Sequence, residues 1–210
     1  INAFQVYTGN GDEKKWVGGQ QEGQEPGILY LYQADGIYRS YDEIPANLVR
    51  KYGSRTYYGP EAWNKLTAEQ QNATTNFPIQ PGDTKFHDVN GDDVIDEFDK
   101  VKVGATSPRW TGGFNTTLRW KNFQLYGRFD YALGFWLYEN SGTQSTTPWF
   151  MGCYQGTYNT PTMYYDTWSE SNPNAKYPRY LFADQNGKNN YIASTMFAYR
   201  GDYLAIREIS

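Results

Sequence analysis

From Phe114 to Tyr131 the chain alternates so regularly that it fixes the class of fold. Phe114, Thr116, Leu118 and Trp120 fall on one side of an extended strand, and Asn115, Thr117 and Arg119 on the other, because successive side chains leave a pleated backbone in opposite directions. After the tight turn Lys121-Asn122 the pattern resumes. Phe123, Leu125, Gly127, Phe129 and Tyr131 alternate with Gln124, Tyr126, Arg128 and Asp130. This predicts a β-hairpin with one apolar and one polar face. Counting from Gly112 to Tyr131, each arm reaches about nine to eleven residues, the length a tilted strand needs to cross a bilayer. Two folds satisfy the pattern: a transmembrane barrel whose apolar face meets lipid, and a soluble sandwich whose apolar face packs on a core.

Composition narrows the function more than the fold. At 210 residues the chain is long enough for one sizeable core. A net charge of −4 gives no electrostatic footprint for nucleic acid or an anionic lipid surface. The single cysteine, Cys153, excludes an internal disulfide and a Cys-rich zinc site. No signal peptide, lipid-anchor motif or apolar helix-length run is present, so ordinary hydropathy reads a soluble protein. Against this, 20 Tyr, 11 Phe and 7 Trp make the chain 18% aromatic. Aromatic-rich, helix-poor chains suit both sugar-binding β-folds and outer-membrane barrels with aromatic girdles, and barrel strands escape hydropathy detection.

A second constellation lies upstream. Asp88, Asn90, Asp92, Asp96 and Asp99 stand at positions 1, 3, 5, 9 and 12 of a calcium-type loop, and Val94 at position 7 would offer its backbone carbonyl. Oxygen donors at that spacing suit calcium, and the same residues equally fit an acidic, solvated Asp/Asn turn with no bound ion. Asp93 replaces the usual glycine at position 6, and Asp99 is one methylene shorter than the usual bidentate glutamate. Pro81-Gly82 before the loop and Val101-Lys102-Val103-Gly104 after it disfavour flanking helices, so a helix–loop–helix hand is not expected.

Elsewhere the reading is coarser. Ile1 to Tyr7 resembles the end of a strand, Gly9 to Gly27 a polar loop, and Ile28 to Tyr32 a strand. Asp42 to Tyr52 is expected to form a short helix with Asp42 as cap, and Thr67-Ala68-Glu69-Gln70 a helical turn closed by a capping box. No periodicity persists from Tyr52 to Asp99, which predicts a long loop. Glu139 to Asn190 reads as a second long loop, rich in aromatic residues. Tyr203 to Ser210 starts another strand and stops, so the chain is expected to be a fragment of a larger sheet.

Several of these landmarks occur in a recognisable order. They are Asp35-Gly36-Ile37-Tyr38, Pro81-Gly82-Asp83 leading to Asp88-Val89-Asn90-Gly91-Asp92, Val103-Gly104, Pro108 and the hairpin from Gly113 to Tyr131. Thr167-Trp168, Tyr177-Pro178-Arg179 and Gly201-Asp202-Tyr203-Leu204-Ala205-Ile206-Arg207-Glu208-Ile209 follow. Together the set resembles the C-terminal part of the barrel of SusC/RagA-type TonB-dependent outer-membrane transporters.

The resemblance implies an all-β fold: antiparallel strands of a transmembrane barrel of about 22 strands, with long extracellular loops containing short helices. It divides the chain into strands (1–41), a long extracellular loop carrying the acidic loop 88–99 (42–100), a transmembrane hairpin (101–138), an aromatic-rich extracellular loop (139–200) and the start of the next strand (201–210). It implies an outer-membrane location of the Bacteroidetes type, TonB contacted through an N-terminal plug, and a SusD-like lipoprotein that lids the barrel and captures glycan. Phe114, Leu118, Trp120, Phe123, Leu125 and Phe129 would face lipid. Trp149, Tyr154, Tyr158, Tyr164 and Trp168 are the expected ring platforms for a sugar ligand.

Rival readings use the same residues. A soluble calcium-stabilised carbohydrate-binding β-domain needs two complete sheets, and too few clean strands are present. A dockerin-like module fits Asp88, Asn90, Asp92, Ile95 and Asp99, but no second copy of the loop appears. An enzyme is the weakest option: His87 is the only histidine, and no carboxylate spacing singles out an acid/base pair.

Overall fold

The computed structural model describes residues 7–8, 15–16, 25, 27–139, 162, 165–181 and 189–210. The strands in chain order begin with β1 (Tyr7–Thr8), β2 (Lys15–Trp16), β3 (Ile28–Tyr32) and β4 (Ala34–Ile37). β5 (Val49–Tyr52), β6 (Arg55–Tyr58), the short helices α1 (Pro60–Asn64) and α2 (Ala68–Gln71), then β7 (Asn76–Pro78), β8 (Thr84–Phe86) and β9 (Val94–Ile95) follow. β10 (Lys100–Ala105), β11 (Trp110–Trp120), β12 (Phe123–Leu133), β13 (Trp136–Tyr138), β14 (Ala198–Arg200) and β15 (Tyr203–Ile209) complete the order. The fold is mostly β with a few short helices, and no described helix is long and apolar enough to cross a membrane.

The strands divide between two regions. β11, β12 and β15 form a three-stranded antiparallel sheet that stays open, and among the described residues no barrel closes. The hairpin is built in the expected register, Trp120 opposite Phe123 through Trp110 opposite Leu133. Lys121 takes a left-handed φ of 52° to make the two-residue turn.

The second region lies between β3 and β10, which pair antiparallel with a bulge between Lys102 and Gly104. It holds a four-stranded sheet ordered β7-β6-β5-β9, the β4–β8 pair and both helices. Its core is a cluster of Tyr32, Tyr38, Ile44, Leu48, Tyr57, Ile79, Phe86, Ile95 and Ile192, with Phe77 stacked on Tyr57 at 5.6 Å between ring centroids. The two regions meet where β13 runs on from β12 and pairs with β14, just before β15. There the Trp136 ring lies against Gly104, at a place where any Cβ would meet it at 2.5 Å.

Three sequence expectations change. Asp42 to Tyr52 forms no helix: a 3-10 turn at Tyr41–Glu43 ends at Ile44, and β5 follows. Pro45 explains this, because it forces the preceding Ile44 out of the helical region, to φ −86° and ψ 120°. The stretch from Tyr52 to Asp99 is not structureless. Its strands are two to four residues long, too short for a period-2 signal to emerge from sequence. Nor is every strand antiparallel, since β5 pairs parallel with β9 and β6 parallel with β7. The capping box at Thr67 is present as expected: Gln70 N–H donates to Thr67 Oγ1 at 3.2 Å, and Thr67 N–H to Gln70 Oε1 at 2.9 Å.

Candidate functional site

The most unusual surface is one face of the three-stranded sheet. Trp110, Phe114, Leu118 and Trp120 of β11 share it with Phe123, Leu125, Phe129 and Leu133 of β12, residue opposite residue. Phe114 and Phe129 stack at 4.8 Å, and Trp120 and Phe123 at 6.5 Å. β15 extends the face with Leu204, Ile206 and Ile209. Ile206 and Ile209 are three residues apart and would point to opposite sides of a regular strand. A bulge opposite Arg128/Phe129 absorbs the extra residue, which returns both isoleucines to the apolar side. The bulge also leaves Arg207 on the other side, where its Nε donates to Asp130 Oδ2 at 2.6 Å.

Nothing among the described residues covers this face. Phe114, Leu118, Trp120, Phe123 and Leu125 are 52–72% exposed, and Leu204, Ile206 and Ile209 are 60–64% exposed. Phe129, the sixth residue expected to face lipid, is half-buried by its stack on Phe114. Side chains of this size make the apolar area on the order of 1,000 Å². Covering it is worth roughly 25 kcal/mol. Soluble monomers rarely expose contiguous apolar patches above about 600 Å². The opposite face carries Asn115, Thr117, Arg119, Gln124, Arg128, Asp130 and Glu208, as the alternation predicts.

The acidic loop closes on itself. Asp88 accepts from Gly91 N–H at 2.7 Å and Asp93 N–H at 2.8 Å, Asn90 from Asp92 N–H at 3.0 Å, and Asp92 from Val94 N–H at 2.8 Å. Asp93 adopts φ 62°, so the backbone reaches the left-handed region that the missing glycine would have favoured. Asp96 caps the 3-10 turn Glu97–Asp99 through Phe98 N–H at 2.9 Å. Asp99 is fully buried and accepts from Val89 N–H and Asp96 N–H, both at 2.8 Å. Burial pushes its carboxyl above the usual aspartate range, and those two amides hold it part of the way back. Val94 lies in β9 opposite Val49. Among the described residues no group of three or more His, Cys, Asp or Glu is placed to hold a metal ion. The loop's carboxylates accept hydrogen bonds from its own backbone amides.

A buried polar network joins the landmarks that lie far apart in sequence. Arg179 Nε donates to Asp83 Oδ1 at 2.8 Å, its Nη1 to Gln80 Oε1 at 2.7 Å, and its backbone N–H to Gly82 O at 2.8 Å. Asp83, with no exposed surface, also accepts from Gln80 N–H at 3.0 Å and Asn190 Nδ2 at 3.2 Å. Arg50 is buried too, donating to the Asn189 side chain and backbone carbonyl and lying 3.8 Å from the Phe86 ring centre. Burial pulls its pKa down to about 10, with the Tyr57, Tyr32 and Tyr38 hydroxyls opposing the shift. Trp168 is half-buried against Gly82, where an added Cβ would meet the indole at 2.5 Å. The other four expected ring platforms, Trp149, Tyr154, Tyr158 and Tyr164, lie outside the described residues.

No family model matches the chain. A curated relative does. The chain is 27% identical over 138 residues to the TonB-dependent receptor P3 of Formosa agariphila. The match covers 66% of this chain but 12% of the receptor's length. This similarity points to the same broad class as the ordered sequence landmarks.

The apolar face of the hairpin was legible as a pattern, and β15's part in it was hidden by the bulge. Arg50, Asn189 and Asn190 carried no advance signal, since a lone arginine in a polar stretch and an Asn pair in a loop look solvated until the fold buries them.

Proposed function

We propose that this chain forms part of the barrel wall and outer loops of an outer-membrane TonB-dependent transporter of the SusC/RagA type. The ligand is a glycan, captured with a SusD-like surface lipoprotein, and TonB drives its passage through the plug that such transporters carry. The work is binding and passage, with no bond chemistry assigned to any residue. One observation carries the reading: strands of 11 residues present an uncovered apolar face on one side and polar residues on the other, as a wall between lipid and a wet lumen requires. A soluble β-domain would pack that face on a second sheet. The similarity to a TonB-dependent receptor supports the same reading. Calcium at Asp88, Asn90, Asp92, Val94, Asp96 and Asp99 is kept as a proposal that rests on donor spacing alone.

The test compares neighbouring positions on opposite faces of β12. In the intact protein, Leu125→Arg should reduce outer-membrane insertion, with a cost between the roughly 0–1 kcal/mol of an interfacial cation and the roughly 2–4 kcal/mol of a midplane one, because Leu125 lies toward the turn end of β12. Gln124→Arg should insert normally. Heat-modifiable gel migration of membrane fractions reads both, and equal tolerance of the two substitutions would count against the barrel wall.

A further inference from the structure

A cavity of about 460 Å³ opens where β4, the 3-10 turn after it, β8 and the Ala175–Lys176 segment meet. Its size is in the range of small-molecule sites, about 300–1,000 Å³. Arg39, Lys85 and Lys176 line it, together with Asp35 and Glu43. The two carboxylates keep their charge and are hydrogen-bonded to other groups. Asp35 Oδ1 accepts from Gln33 Nε2 at 3.0 Å and Oδ2 lies 2.8 Å from His87 Nδ1, while Glu43 Oε2 accepts the Arg39 backbone N–H at 2.9 Å. Among the described residues none of the three cations ion-pairs with a carboxylate, and Lys176 only overlies the Tyr177 ring at 5.0 Å.

Three cations against two carboxylates leave the lining with one positive charge in excess, which an anionic group entering the cavity neutralises. We propose that this cavity is an anion-binding subsite that takes a carboxylate or sulfate group carried on a saccharide. The guanidinium of Arg39 offers a fork to two oxygens of such a group, and Lys85 and Lys176 add point charges. Ile37 and Ala175, both buried, supply apolar lining for sugar C–H surface. That the ligand is a saccharide rests on the transporter reading. That it is anionic rests on the cavity lining alone.

The experiment is calorimetric titration of the intact protein in detergent at low salt. The probes are tetragalacturonate, a sulfated galactotetraose and unmodified galactotetraose. The expected result is that at least one anionic probe binds, at least tenfold more tightly than the neutral one, and that the difference shrinks as salt rises. Whichever anionic probe binds tighter identifies the group. The Lys85→Ala/Lys176→Ala double variant should weaken anionic binding about tenfold, since it removes two of the three cations of the lining. Lys85→Arg/Lys176→Arg should keep most of it, which separates lost charge from lost fold. Equal affinity for neutral and anionic probes, no binding of either anionic probe, or an unchanged double variant would overturn the subsite. Those outcomes leave the transporter reading standing, whereas equal insertion of Leu125→Arg and Gln124→Arg would remove that reading and leave the anion site in place.

Discussion

The two regions of this molecule use apolar residues in opposite ways. Between β3 and β10, Tyr57, Ile95, Tyr38 and their neighbours are buried around a common core, and the charged groups buried with it, Arg50 and Asp83, are hydrogen-bonded. In the β11–β12–β15 sheet the large apolar side chains point outward and the polar ones share the other face. A chain folding against a single solvent has no reason to do both. The difference indicates two surroundings: water around the region that builds its own core, and an apolar medium or further protein against the sheet.

This contrast can be broken at either region. The largest effect is expected at Tyr57, fully buried and stacked on Phe77. Tyr57→Ala should cost about 3–5 kcal/mol by leaving a cavity, seen as a loss of protection of β5 and β6 in hydrogen exchange of the intact protein. Phe123→Ala, at an equally large but exposed ring, should leave that exchange unchanged. Next is Asp83→Ala, which strands the Arg179 guanidinium and frees the Asn190 amide. Breaking a buried pair from one side costs about 3–5 kcal/mol at the upper end, and because Arg179 keeps its Gln80 contact the effect should fall somewhat below Tyr57→Ala. Limited proteolysis near residue 179 reads it directly.

Asp99 sharpens the same contrast at lower amplitude. Asp99→Asn leaves one acceptor for two amides and should destabilise the loop by about 1–3 kcal/mol. Because burial raises its folded pKa above the unfolded value of 3.8, the protonated form is the one folding favours. Its contribution is present below the unfolded value and is lost as pH rises through the folded one. Exchange protection of Val89 and Asp96 in the parent should therefore fall across that window, and Asp99→Asn should flatten the slope. The smallest effect concerns calcium. If spacing alone makes the site, millimolar calcium should raise the midpoint for unfolding the loop region by a few degrees at pH 7, and EDTA should reverse it. An unchanged midpoint would leave the loop's own hydrogen bonds as the full account of its shape.

What the sequence showed and concealed follows from how each region is built. The hairpin was readable from Phe114 to Tyr131 because the alternation repeats along both arms, while its outer ends at Trp110 and Leu133 lay beyond the pattern. The Thr67 cap was readable because its two hydrogen bonds are local. The four-stranded sheet was not, since its strands are short and two of its three pairings are parallel, joining segments distant in sequence. Asp42 to Tyr52 misled because Asp42 suits a helix cap, whereas Pro45 holds Ile44 extended and forbids the helix. The acidic loop's spacing was correct as a turn signature, and the same oxygens that suit calcium also suit backbone amides. The cavity lined by Lys85 and Lys176 had no sequence signal, since isolated lysines look solvated until β8 and the Ala175–Lys176 segment are brought together.

The central claim is that the β11–β12–β15 face meets lipid. Spin labels at Leu118, Leu125 and Leu204, and at Asn115 and Gln124 across the sheet, would test it in the intact protein reconstituted in bilayers. Power-saturation should give high oxygen and low nickel-chelate accessibility at the first three and the reverse at the other two. Nickel-chelate accessibility as high on the apolar face as on the polar one would contradict it.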